Sequence, residues 1–340
     1  MTTISAGDRL SAMTDVITPW AIRAAVTLDL PDLIGAHPVS ADDLAPAAKA
    51  DSDALGRLLR YLSCRGVFEA EPDGRFTASE LSLQLRRDHP SGRHAWLDLD
   101  GMGGRNDRTA PFLLDAVRSG TPAYPAVYGR GYWDDLAADA ELSSSFDALM
   151  ATHGGWFDLV VDAVDWSRSR HVIDVGGGPG VLLGKVLQAA PELTGAVFDL
   201  PGPVSAARST LGELGLADRA QVLEGSFRDG VPGGGDTYLL SNVLHDWPDQ
   251  AAADILASCA SAAGPGGRVI IAERLVGSAE DPQVVTRMDL RMLLLVGGKE
   301  RTADDFGQLA HRAGLAVASV RDTAAAISVL ECVPAAPAAP

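Results

Sequence analysis

The sequence predicts an α/β protein in two parts: a mostly parallel sheet covered by helices on both faces, preceded by a smaller helical domain. Three observations lead there. From His171 onward, short apolar runs alternate with stretches of helical period. The first of those runs enters a cluster of glycines, HVIDVGGGPG at His171 to Gly180. The chain before residue 92 reads as helices followed by a hairpin.

Length and composition set the bounds. With 340 residues there is room for two domains, and 46% hydrophobic with 21% charged residues is ordinary for a globular protein. A formal net charge of −17 argues against a nucleic-acid partner, which needs a basic footprint, and favours small or cationic ligands. Cys64, Cys259 and Cys332 are far apart and form no C-x-x-C pair, so they read as reduced packing residues of a cytoplasmic protein, not a disulfide framework or a zinc site. No apolar run approaches the roughly 18 residues that span a bilayer, and MTTISAGDRL lacks the basic start of a signal peptide.

Taken in order, Asp8 to Leu30 places Leu10, Met13, Ile17, Trp20, Ala24 and Leu28 at helical steps, interrupted near Pro19. Ser40 with Asp43 opens a short helix to about Ala50, and Asp53 to Arg65 carries Leu55, Leu58, Leu59 and Leu62 on one face. VFEAEPDGRFTAS then reads as two strands about Pro72-Asp73-Gly74. Helix, helix, hairpin is the outline of a winged helix, which leaves a DNA-binding regulator as a competing reading. Asp42, Asp43, Asp51 and Asp53 set against Lys49, Arg57, Arg60 and Arg65 make a face too acidic for DNA, so a dimerisation or lid module is expected over 1–92. A helical linker over 93–165 follows, with aromatics from Tyr124 to Leu136 and again at Phe146, Trp156 and Phe157. Met150, His153 and Trp156, with Asp289 and Met292 further on, are candidate walls of a substrate pocket.

The nucleotide-binding domain is expected over 166–333, with a disordered tail at 334–340. Its first strand turns at Gly176, Gly177, Gly178 and Gly180, where bare backbone lets a ligand lie close. A helix to Pro191 and the strand GAVFDL, ending in Asp199, complete half of a nucleotide site. The dinucleotide fingerprint G-x-G-x-x-G fails at Val181, which weakens an NAD reading. In open parallel sheets ligands bind beyond the carboxyl ends of the strands. Asp174 to Gly180, Asp199, Ser226-Phe227, His245-Asp246-Trp247, Glu273 and Glu300 all fall there. His245 reads as a general base with Glu273 and Glu300 as its orienters, because a carboxylate on one imidazole nitrogen frees the other to accept a proton. No metal is expected, since no metal-ligand spacing accompanies these residues; G-x-S-x-G and Walker patterns are also missing.

The segments DVGGGPG, FDLP, GSF, SNVLHDWPD, AERL and GGKERT, in that order, resemble the S-adenosylmethionine-dependent O-methyltransferases that act on small molecules, both plant caffeate and flavonoid enzymes and bacterial antibiotic-tailoring ones. The resemblance spans almost the whole chain. It implies a Rossmann-like class I methyltransferase domain with a mostly parallel seven-stranded sheet whose final strand is antiparallel, a winged-helix dimerisation domain, and a homodimer. It places the catalytic base on His245, flanked by Glu273 and Glu300. The cofactor's methionine end falls on Asp174, Gly176 and Gly178, its ribose on Asp199, and its adenine on Ser226 and Phe227. Ser226 departs from the family's usual Asp, and Ser241 from the Lys of plant members; bacterial relatives share both. The implied acceptor is a phenolic hydroxyl of an aromatic polyketide or a related metabolite. Some anthracycline-tailoring relatives hydroxylate instead, but those lack the His-Asp-Trp base that this sequence keeps.

Overall fold

The computed structural model describes residues 5–151, 154–278, 282–324 and 327–335. The chain forms two compact units, Met1–Arg108 and Thr109–Pro340.

In the first unit, helices Ala41–Ala48 and Ser52–Cys64 are followed by the antiparallel hairpin β1 (Phe68–Ala70) and β2 (Phe76–Ala78). Ser40 and Asp51 cap the two helices through their side chains, and Leu44, Leu55, Leu59, Leu62, Phe68 and Phe76 close the core. The first helical stretch breaks at Thr14 to Val16 and not at Pro19. Asp15 accepts the N–H groups of Ile17 and Thr18, which starts a new helix over Ile17–Thr27. Pro19 then falls in its first turn, where a missing N–H costs nothing. The unit also runs past residue 92. Helices Arg93–Leu97 and Met102–Asp107 are tied back to it by Thr27, which accepts the Leu99 N–H at 2.7 Å, and by the ion pair of Arg23 with Asp107.

The second unit is built on a seven-stranded sheet. Its strands are β3 (His171–Val175), β4 (Thr194–Asp199), β5 (Ala220–Glu224), β6 (Thr237–Ser241), β7 (Arg268–Arg274), β8 (Leu315–Asp322) and β9 (Ile327–Pro334). They stand in the order β5-β4-β3-β6-β7-β9-β8. The first five are parallel, and β9 runs antiparallel to both β7 and β8. Central strands are apolar on both sides because helices cover both faces: Tyr238, Leu240 and Ile271 pack on one core, while Val172, Leu239 and Ile270 pack on the other. Pro334 and Ala335, expected in a disordered tail, are ordered. Pro334 ends β9 and the Ala335 N–H bonds to the Gly314 carbonyl; residues 336–340 lie outside the described residues.

Strand order reverses between β3 and β6, since β4 and β5 are added on one side and β6 and β7 on the other. A crevice opens at such a point, and it is where ligands bind. Two turns meet there. One follows β3; the other follows β6, which stops at Ser241, shorter than the apolar run TYLLSNVL implies, because Asn242, whose N–H still donates to the Ala272 carbonyl, takes φ of +51° and turns the chain out of the strand.

Candidate active site

The turn after β3 has positive φ at Gly176, Gly178 and Gly180. A Cβ on Gly177 would stand 2.6 Å from the Asp174 carboxylate, so that side chain fills the inside of the turn. Asp174 is 1% exposed, and its Oδ2 has no hydrogen-bond partner among the described residues. Burial, and then the charge of Asp199, pushes its carboxyl up to about 7. Asp199, at the end of β4, is tied to the same turn: Oδ2 accepts the Gly178 N–H at 2.8 Å and Oδ1 accepts the Leu200 N–H at 2.7 Å. Beyond β5, the Ser226 hydroxyl accepts the Arg228 N–H, and the Phe227 ring reaches to 3.6 Å from the Cβ position of Gly176. Phe227 also meets Trp247 edge-on, with centroids 5.6 Å apart. At the end of β6, the Ser241 hydroxyl is buried without a partner among the described residues.

The turn after β6 carries His245 on a short 3-10 segment, Leu244–Asp246. Its side chain is 11% exposed, and both ring nitrogens face carboxylates. Nδ1 lies 3.2 Å from Glu300 Oε1 and 3.6 Å from Glu273 Oε2; Nε2 lies 3.4 Å from Asp246 Oδ1. Burial by itself would lower the imidazole's pKa, but the charges of Glu273 and Asp246 and the hydrogen bond that Glu300 accepts outweigh it and raise it to about 10. Burial, together with the two glutamates and against the pull of His245, raises Asp246 to about 7. Burial likewise drives the Glu273 carboxyl upward.

The two glutamates do different work. Glu273, fully buried on β7, spends Oε1 on the N–H groups of Val243 at 3.0 Å and Leu244 at 2.8 Å, so it shapes the turn under the imidazole. Glu300 makes the direct bond to Nδ1, and Asp289 accepts its backbone N–H at 2.8 Å. The Val243 side chain reaches to 2.9 Å from the Cβ position of Gly176, which brings the two turns into contact.

Sequence reasoning missed two members of this cluster. Asp246 was read only as part of a motif, yet it is the carboxylate on the far side of the ring. Arg301, next to Glu300 in GGKERT and 1% exposed, donates to the carbonyls of Leu244 at 2.8 Å and Trp247 at 2.7 Å and to Asp249 at 2.9 Å, bracing the His-Asp-Trp turn from below. A basic residue inside an otherwise site-directed motif was the available signal.

The candidate wall residues sit in different settings. Met150 is half-buried on the helix Ala140–Ala151, and Met292 is buried on the helix Pro282–Leu295. Asp289 on the latter helix is committed to Glu300. Trp156 belongs to the core, packed with Val160, Leu182 and Leu183. His153 lies outside the described residues. Asp29, Asp32 and His94, in the first unit, come within metal-ligand reach of one another, but Asp29 pairs with Arg87 at 2.7 Å and Asp32 with Arg86 at 3.5 Å.

Residues 111–316 match the family model for the O-methyltransferase domain, and residues 10–87 match that for the O-methyltransferase dimerisation domain. The chain is 46% identical over 309 residues to 2,7-dihydroxy-5-methyl-1-naphthoate 7-O-methyltransferase of Streptomyces carzinostaticus, covering 91% of this chain and 92% of that protein. It is 42% identical over 317 residues to the aclacinomycin 10-hydroxylase RdmB of Streptomyces purpurascens, covering 92% and 85%. Among solved structures, the O-methyltransferase NcsB1 from neocarzinostatin biosynthesis, in complex with S-adenosyl-L-homocysteine and 1,4-dihydroxy-2-naphthoic acid, matches with a TM-score of 0.92 at 43% identity, over 97% of this chain and 100% of that one.

Proposed function

The chain belongs to the family of S-adenosyl-L-methionine-dependent O-methyltransferases, and from there we propose that it methylates a phenolic hydroxyl of a small aromatic secondary metabolite with His245 as general base. One observation carries the reading. The imidazole of His245, set by Glu300 at 3.2 Å, rides on a turn whose Val243 touches the glycine turn of the nucleotide crevice.

The residues present fit the methyl donor. Glycines at positive φ allow close backbone approach, Asp174 keeps a buried carboxylate oxygen without a partner among the described residues, and the Phe227 ring lies beside the turn. Asp174, Gly176 and Gly178 would hold the methionine end, Asp199 the ribose, and Ser226, Phe227 and Ser241 the adenine side. Bound S-adenosyl-L-methionine supplies a methyl group already made electrophilic by its sulfonium. What remains for the protein is to hold the acceptor oxygen in line, exclude water and manage one proton.

That proton is the task of His245. A phenol releases its proton at a pKa of about 10, and the imidazole, raised to about 10, is matched to it. Only the neutral ring accepts that proton, so turnover draws on the deprotonated fraction of the enzyme, and the surrounding acids stabilise the imidazolium that results. The wider reading follows the relatives: an acceptor of the dihydroxynaphthoate class, walls that include Met150 and Met292, and a homodimer formed through the first unit. The unpaired cysteines support a cytoplasmic location, and the net charge of −17 supports the reading without a nucleic-acid partner. Among the described residues no helix is long and apolar enough to cross a membrane.

Likeness to a hydroxylase keeps a second reading in view. Incubation with isotopically labelled S-adenosyl-L-methionine and a panel of dihydroxynaphthoates separates the two: methylation adds the label and the mass of a methylene group, hydroxylation adds one oxygen atom and no label. His245→Ala is expected to keep cofactor affinity and to lose about 10²- to 10⁴-fold in turnover. Near-normal turnover by that variant would remove the assignment.

A further inference from the structure

One carboxylate beside the nucleotide crevice is left without a partner. Asp147 lies on the helix Ala140–Ala151, half-buried, with no hydrogen bond among the described residues. That helix presses on the chain just beyond β4, where a Cβ on Gly202 would stand 2.9 Å from the Ser143 hydroxyl. Asp147 is four residues on from Ser143 and so shares its face. Burial, and then the charge of Asp199, raises its carboxyl to about 6. Asp199 acts in the same way on Asp174, which is 1% exposed and points an unpartnered Oδ2 into the glycine turn. Asp199 thus acts on a carboxylate on either side of it, and like charges so placed repel one another. The arrangement becomes favourable when a ligand brings hydroxyl donors and positive charge.

We propose that Asp147 is a further cofactor-binding residue, sharing with Asp199 the two hydroxyls of the ribose of S-adenosyl-L-methionine and fastening the helix Ala140–Ala151 to the bound cofactor. The proposal rests on the reading of Asp199 as the ribose acid. Both oxygens of Asp199 already accept backbone N–H groups, from Gly178 and Leu200. A vicinal diol offers two O–H donors, and a second carboxylate supplies the additional acceptors. Because Met150 follows Asp147 by three residues on the same helix, the contact links cofactor occupancy to a wall of the acceptor pocket.

The test is calorimetric binding of S-adenosyl-L-homocysteine, and of its two monodeoxyribose analogues, to the full-length wild type and to Asp147→Ala, Asp147→Asn and Asp199→Ala. Asp147→Ala should weaken S-adenosyl-L-homocysteine about ten-fold, the size of one lost hydrogen bond to a charged group. That penalty should shrink below about two-fold for one of the analogues, since the hydroxyl it depends on is gone. Asp147→Asn keeps the shape and one acceptor oxygen, and should lose only about three-fold. Unchanged affinity in both Asp147 variants while Asp199→Ala binds weakly, or an equal loss with all three ligands, overturns the proposal. Wild-type affinity in Asp199→Ala overturns the ribose reading itself.

Discussion

Nε2 of His245 stands 3.4 Å from Oδ1 of Asp246, across the ring from Glu300, which holds Nδ1 at 3.2 Å. The imidazole is thus clasped between carboxylates on opposite edges, with Glu273 3.6 Å from Nδ1 as a third. Such a site favours the doubly protonated ring. The nitrogen left over by Glu300 faces an acid whose own carboxyl is raised to about 7, and the acceptor's hydroxyl must be received beside it.

Replacing Asp246 with Asn removes one negative charge and leaves the shape. The imidazole's pKa should fall, and on the proposal that the neutral ring is the base, activity should extend to lower pH. Profiles of kcat/KM against pH for the wild type and Asp246→Asn check this. Superimposable acid limbs would mean that Asp246 does not act on His245.

The same clasp gives stability a pH dependence. His245 keeps its proton up to about 10 in the fold, against about 6.5 in an unfolded chain. Its contribution is complete below the unfolded value and is lost as pH rises through the folded one. Between about pH 8 and 9.5, above the raised carboxyls of Asp174 and Asp246, the wild type should lose Tm steadily and His245→Ala should not. Parallel slopes for the two proteins would contradict the raised imidazole.

Glu273 separates two roles that one residue combines. Glu273→Ala leaves the N–H groups of Val243 and Leu244 buried and unpaired, at about 1–3 kcal/mol each, so melting temperature should drop sharply. Glu273→Gln keeps an oxygen for both and should melt near the wild type, while its missing charge lowers the imidazole's pKa. A comparison of Tm with the pH-rate profile distinguishes the two variants. If Gln melts as low as Ala, the turn depends on the charge and not on the acceptor.

How much of this was legible beforehand depends on whether local chemistry or tertiary packing decides a feature. The β3 turn could be read because consecutive glycines have few other uses, and the sheet because apolar runs and helical periods alternate so regularly. His245 and Glu273 could be proposed together because one follows and the other ends a strand on the same rim, and Glu300 because it stands in the loop before the helix Ala303–Arg312. The division of labour between the glutamates could not, since it turns on which oxygen meets which N–H across 30 residues of chain. Arg301 was hidden for a related reason: its partners are carbonyls, and carbonyls leave no trace in a sequence. Pro19 misled because a proline marks a break only when it sits in a helix interior, and here it opens one.

The loop that carries Glu300 also passes very close to the turn of His245, and Gly298 is the residue that permits it. A Cβ there would stand 2.0 Å from the His245 carbonyl oxygen and 2.5 Å from the Asp246 carbonyl carbon. Both are backbone atoms, so no side-chain rotation relieves the clash; the turn, the loop or both must shift. Because Arg301 and Glu300 hold that turn from the same loop, a shift also misdirects the imidazole. Displacement of about 1 Å is enough to cost about 10²-fold in rate. Gly298→Ala should therefore lose turnover by at least that factor, with affinity for S-adenosyl-L-homocysteine kept. Gly307→Ala is the matched control, since Gly307 lies within the helix Ala303–Arg312 with open space around its Cβ position. It should gain stability by about 0.5–1 kcal/mol with activity unchanged. Equal activities of the two variants would show that the close approach at Gly298 does not set the position of His245.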